Sequence, residues 1–161
     1  MGVGLVVVVA GAIAITTLQG LQNTQFSKNQ VEATKKAQEN IERVRTVKNS
    51  NFGVCTLAEG GSTATTCSTW EDIWSTSFGL PPNCTNGCTF IVDTTGCPVS
   101  LGTAPVCLEY SATRADLGNG FTAQITLNDE APNQKRITSK VFWTDTTGEH
   151  SSNLVTILSR L

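Results

Sequence analysis

Six cysteines, Cys55, Cys67, Cys84, Cys88, Cys97 and Cys107, fall within one stretch dense in Thr, Ser, Gly and Pro. An even number of thiols in a short, loop-rich window predicts three disulfides formed in an oxidising compartment. Zinc is the competing chemistry, since Cys84-Thr-Asn-Gly-Cys88 has ligand-like spacing. No second matching pair follows, however, and the only histidine, His150, is remote in sequence. Six cysteines allow fifteen pairings, and proximity alone favours Cys55 with Cys67.

Other residues point to chemistry less strongly. His150 follows a turn and precedes Ser151 and Ser152, which reads as an exposed strand start, and no G-x-S-x-G nucleophile elbow occurs. No convergent set of catalytic groups is signalled, so no enzyme activity, cofactor or metal is expected. Asp116-Leu-Gly-Asn-Gly120 offers oxygen ligands and glycines but lacks EF-hand spacing, so it reads as a loop before a strand. Asn83-Cys-Thr85 fits a glycosylation acceptor, with a cysteine at its centre. Trp143 reads as packing in a sheet. Trp70 and Trp74, four apart beside the cysteines, read as a surface contact patch. The formal net charge of −2 gives no electrostatic case for nucleic acid.

The element that dominates the 161-residue chain is its beginning. Met1 to Ser27 carries no charged side chain, and Val3 to Leu18 is almost wholly apolar. From Lys28 to about Lys48 the helical pattern continues as a charged amphipathic stretch. Glu32 stands four residues before Lys36, and Glu39 four before Arg43, the order that supports a solvated helix. Val31, Ala37, Ile41, Val44 and Val47 recur at helical spacing, a stripe that should pack on the globular part. No basic residue precedes the apolar run, which argues against a secretory signal. Val3 to Leu21 would measure roughly 28 Å and the whole helix about 70 Å, enough for its first half to cross a bilayer. Small residues (Gly2, Gly4, Ala10, Gly11, Ala12, Ala14) suit close helix contact in lipid. Gly20 with Thr16-Thr17 predicts a kink or local melting.

Asn49-Ser-Asn-Phe-Gly53 ends the helix. Residues 54–107 read as a disulfide-rich loop with few regular runs, among them short strands at Cys88–Asp93 and Val106–Tyr110. Trp70 to Trp74 reads as one or two helical turns, closed by Leu80-Pro-Pro82. Phe121, Ala123, Ile125 and Leu127 then alternate with polar residues, the period of a half-buried strand. Ile137–Thr144 and Leu154–Leu158 are the next two strands. Asp145-Thr-Thr-Gly-Glu149 is a tight turn between them, echoed by Asp93-Thr-Thr-Gly96. The expected fold is α+β: a long hydrophobic-then-amphipathic N-terminal helix packed on a C-terminal antiparallel sheet of three to four strands, with the disulfide-rich loop between. The expected parts are residues 1–27, 28–50 and a head of 51–161, divided into 54–107 and 108–161.

That order of parts resembles the type IV pilin and pseudopilin superfamily. Gly2-Val-Gly-Leu-Val-Val-Val-Val-Ala10 looks like the prepilin pattern, in which a glycine precedes the cleavage point and a glutamate follows a few residues later. On that alignment Met1, Gly2 and Val3 flank the processing site, Val3 begins the mature chain, and Val7 takes the glutamate position. With Met1 as the mature first residue, Leu5 stands there instead. The glutamate is absent either way. Arg136-Ile-Thr-Ser-Lys-Val-Phe-Trp-Thr-Asp145, followed by Gly148 and His150, looks like the last hairpin of minor pilin-like proteins. Together the two stretches cover about a third of the chain.

The resemblance implies a structural subunit held in the cytoplasmic membrane, cleaved by prepilin peptidase, N-methylated and extruded by the assembly machinery. It would end in an extracellular filament of pilin subunits at the cell surface. Val3, Leu5, Val6, Val7, Val8, Val9, Ala10, Ile13, Ile15 and Leu18 would pack in the filament core. In the family the glutamate pairs with a neighbour's terminal amine. An amine left unpaired in an apolar core costs several kcal/mol, which favours a minor or tip subunit. The alternatives are a membrane-anchored cysteine-rich binding module and a pseudopilin of a type II secretion system.

Overall fold

The computed structural model describes residues 2–50, 54–57, 64–68, 70–71, 88–93, 107–110 and 113–160. For 2–15, 50, 54–57, 64–68, 88, 93, 107 and 109–110 only the backbone is described. Helix α1 (Gly2–Ser50) is followed by β1 (Val54–Leu57), β2 (Ala64–Ser68), β3 (Cys88–Asp93), β4 (Cys107–Tyr110), β5 (Ala115–Asp116), β6 (Phe121–Ala131), β7 (Gln134–Asp145) and β8 (Gly148–Ser159). The chain forms two compact units, Met1–Glu32 and Ala33–Leu161. The division therefore falls beyond the change of charge at Lys28.

In the first unit α1 runs unbroken through Gly20, so the helix does not melt there. Thr24 donates its hydroxyl to the Gly20 carbonyl at 2.8 Å. Such back-bonding gives that carbonyl a second donor, an arrangement that often bends a helix.

In the second unit the rest of α1 lies on an eight-stranded sheet, so the α+β architecture holds. Ala33, Ala37, Asn40, Ile41, Val44 and Val47 are buried, which at 3.6 residues per turn is a single face. Size is graded along it. The small Ala33 and Ala37 meet Phe121, Ala123, Val141 and Trp143, where the sheet supplies the bulk. The larger Ile41, Val44 and Val47 meet Trp70, Phe90, Leu108, Ile125, Leu127, Ile137 and Leu158. Matching small against large in this way keeps a core at crystal-like density. Val31, assigned to this stripe by its spacing, is 70% exposed and belongs to the other unit. At about 100° per residue Val31 stands roughly 160° round the helix from Ala33, on the side away from the buried face.

Polar groups fix the helix on the sheet. The Thr34 and Ser152 hydroxyls lie 3.0 Å apart, and Lys36 Nζ donates to the Leu117 carbonyl at 3.3 Å while sitting 5.4 Å from the Phe121 ring centroid. The solvent side carries the expected Glu39–Arg43 pair and a Glu42–Arg45 pair.

Strand order is β2-β1-β4-β3-β6-β7-β8. All pairs are antiparallel except β1 with β4. β5 and β3 both pair with β6, at Ala115↔Ala123 and Phe90↔Ile125 respectively. The expected meander is present as β6–β7–β8, with β6 alternating buried and half-buried side chains from Phe121 to Asn128. The strands expected at Cys88–Asp93 and Val106–Tyr110 are present as β3 and β4, and both join this sheet. The expected limit of three to four strands is exceeded, because the stretch assigned to a loop also supplies β1 and β2. Those two runs are rich in Thr, Cys and Ser and show little apolar alternation. Pairing with each other and with β4 decides their conformation.

Trp70, expected at the surface, is fully buried in the larger core cluster. The indole is large and apolar, and the cleft among Val47, Phe90 and Leu108 takes it out of water. Trp74, Leu80-Pro-Pro82, Asn83-Cys-Thr85, Cys84, Thr94 to Gly96 and Cys97 lie outside the described residues.

Candidate assembly site

The first unit is the helical part expected to drive assembly. Its described side chains begin at Thr16, and Thr16 to Lys28 are exposed. Leu18 is 61% exposed, Leu21 63% and Phe26 40%. With about 100° of rotation per residue, and Leu18 set at zero, Leu21 lies near 300°, Phe26 near 80° and Val31 near 220°. These apolar groups therefore surround the helix rather than forming one stripe. They stand among Gln19, Gln22, Asn23, Gln25, Ser27 and Lys28, so the described part of this unit is a mixed surface with apolar groups on several sides.

Among the described residues, no helix is long and apolar enough to cross a membrane. The backbone of Val3, Leu5, Val6, Val7, Val8, Val9, Ala10, Ile13 and Ile15 lies in α1. Their side chains, together with Met1 of the processing site, lie outside the described residues. No protein-family model, curated protein or solved structure matches this chain.

A second cluster sits at the β7–β8 hairpin, where the residue pattern predicts a tight turn and an exposed histidine. Asp145 Oδ1 accepts from the Thr147 backbone N–H at 2.7 Å and from the Thr147 hydroxyl at 2.6 Å. His150 Nε2 lies 3.0 Å from the same carboxylate oxygen and 2.9 Å from Thr147 Oγ1, with its ring stacked on Trp143 at 5.5 Å. In a nucleophile–histidine–acid relay the hydroxyl and the acid occupy opposite ring nitrogens. Here both meet Nε2, the geometry of a turn lock. Gly148 opens β8 directly after the two-residue loop Thr146-Thr147, at φ 132°, where an L side chain is strained.

The Thr147 hydroxyl and backbone N–H, then His150, hold the Asp145 carboxyl down from 3.8 to about 2. With the folded value depressed, the lock contributes in full above the unfolded value and is lost as pH falls through the folded one. A 13C NMR titration of the Asp145 carboxyl should therefore show its midpoint near pH 2. A midpoint at the ordinary 3.8 would show the hydrogen bonds to be absent in solution.

On the outer face of the sheet, Arg114 forks onto Glu149 at 2.6 and 3.3 Å and lies 3.4 Å from the Phe142 ring centroid. Lys140 Nζ is 4.9 Å from the same ring. The Arg114 hydrogen bond, helped by its charge and that of Lys140, lowers the Glu149 pKa. Phe142 is buried although it faces away from α1, because these cations cover it. Sequence spacing gave no signal for this cluster, since Arg114 joins from a different strand connection. Asp116, in the calcium-like stretch, accepts from Gly118 N at 2.8 Å within its own turn. Residues 118–120 all take positive φ before β6 begins.

Proposed function

We propose that this chain is a structural subunit of an extracellular type IV pilus-like filament, assembling through its N-terminal helix. The observation that carries the reading is the ring of exposed apolar residues Leu18, Leu21, Phe26 and Val31 around one helical unit. Neighbouring helices on several sides would take that surface out of water, as a helical filament core does. The apolar run Val3 to Ile15 extends the same requirement towards the N-terminus.

Before assembly the helix would rest in the cytoplasmic membrane, where prepilin peptidase would cut near Gly2 and Val3. The cysteine-bearing strands and loops of 54–107 would face outward and set neighbour or adhesive contacts. Without a glutamate at Val7 or Leu5, the amine of a neighbouring subunit would lack its usual partner, which favours a minor or tip subunit.

Mass spectrometry of filaments sheared from the native host tests this. A methylated N-terminal peptide starting at Met1 or Val3 is expected, at a small fraction of the dominant subunit's abundance. Recovery only from membranes, with the N-terminus uncut, would overturn the filament reading in favour of an anchored binding module.

A further inference from the structure

The strand register narrows the disulfide pairing. We propose that Cys55 and Cys67 are joined to each other, and that Cys88 is not joined to Cys107. Cys55 and Cys67 are direct partners across the antiparallel β1–β2 pair, between Val54↔Ser68 and Thr56↔Thr66. Facing residues in such a pair have Cα atoms about 4.5–5.5 Å apart. A disulfide requires roughly 4.4–6.8 Å.

The other cysteines placed on strands are out of reach. Cys55 pairs with Glu109 across the parallel β1–β4 contact, so Cys107 is two positions further along. One strand spacing combined with two residue rises gives about 8 Å between these Cα atoms. Cys67 lies a strand further from β4 again. Within the β3–β4 pair, Phe90 faces Tyr110 and Asp93 faces Cys107. Cys88 is thus five register positions from Cys107, about 17 Å along the strand. It also has the opposite parity. Cys88 shares its register face with the buried Phe90, whereas Cys107 alternates with the buried Leu108. Cys88 and Cys55 differ by two strands and three positions, about 14 Å.

With Cys55–Cys67 made and Cys88–Cys107 excluded, the fifteen pairings reduce to two. These are Cys84–Cys88 with Cys97–Cys107, and Cys84–Cys107 with Cys88–Cys97. The Cys55–Cys67 bridge has a clear structural task. Among the described residues β2 ends the sheet and pairs only with β1, and β1 reaches β4 through just Val54↔Leu108 and Cys55↔Glu109. A covalent tie keeps this weakly held edge closed. In forming it, the two thiols release two protons and two electrons. A protein disulfide of the oxidising compartment accepts them and becomes a dithiol.

Cleavage after glutamate separates the cysteines for a direct test. Glu42, Glu59, Glu71 and Glu109 place Cys55 in Arg43–Glu59, Cys67 in Gly60–Glu71 and the other four in Asp72–Glu109. The full chain, isolated from cells with free thiols alkylated, is digested without reductant and weighed. The expected result is Arg43–Glu59 linked to Gly60–Glu71, less two hydrogens, with Asp72–Glu109 unattached, unalkylated and four hydrogens light. Within that last peptide, further cuts at Asn86–Gly87, Asp93–Thr94 and Leu101–Gly102 leave one cysteine in each fragment, and Cys88 should never be joined to Cys107. A link from Cys55 or Cys67 to Asp72–Glu109, alkylation of either residue, or a Cys88–Cys107 link would overturn the assignment.

Discussion

A chain beginning at Lys28, exported behind a cleavable secretory signal, will fold, remain a soluble monomer and stay out of filaments. Among the described residues, every helix residue in the two core clusters lies at Ala33 or later, so this truncation removes no described side chain from the sheet's core. It does remove Leu18, Leu21 and Phe26, which stand between 40% and 63% exposed. Covering what remains wet of those three is worth roughly 3 kcal/mol at about 2 kcal/mol per fully buried side chain. That alone corresponds to more than a hundred-fold loss of incorporation, and the apolar run before Thr16 adds to it. Immunoblots of sheared filaments, from cells lacking the native chain, measure the loss. Circular dichroism of the truncated protein checks that its thermal unfolding matches that of the full chain. Incorporation within a few-fold of the full-length level would refute assembly through this helix.

Replacing Trp70 by Ala should cost about 3–5 kcal/mol, the range for emptying a large aromatic site in a packed core. Small domains are stable by only about 5–15 kcal/mol, so most of the margin would go. Trp70 fills the space between the far end of the helix stripe, at Val44 and Val47, and the strands carrying Phe90 and Leu108. Its Nε1 has no hydrogen-bond partner among the described residues, so the loss would be one of packing. The neighbouring Glu71–Arg160 ion pair, at 2.5 Å, ties the same turn to the end of β8. With a urea m-value of about 1–3 kcal/mol/M, the unfolding midpoint should fall by roughly 2 M. A fall of less than about 0.5 M would mean the indole is not a core residue in solution, and the surface reading of Trp70 would return.

Local patterns were enough where one physical cause dominates. Ala37, Ile41, Val44 and Val47 repeat at helical spacing, and all four are buried on one face. Phe121 to Leu127 alternate, and β6 buries the alternate set. Asp145-Thr-Thr-Gly148 carries turn chemistry, and the β7–β8 hairpin closes there with Asp145 facing Gly148. In each case the preference is expressed within a few residues, so burial need only agree with it.

Three features needed the tertiary structure. β1 and β2 contain no apolar alternation, and their strand conformation depends on neighbours as distant in sequence as Leu108 and Glu109. Trp70 could face either way until the helix and β3–β4 enclosed it. The Arg114–Phe142–Glu149 cluster joins residues from separate strands, which no spacing along the chain encodes. The sequence by itself determined the helix, its buried face, the final meander and the uncharged first twenty-seven residues that motivate the filament reading. Only the tertiary structure decided the width of the sheet, the burial of Trp70 and the facing of Cys55 with Cys67. Periodicity records which side of an element is greasy, whereas long-range pairing depends on what else competes for that side.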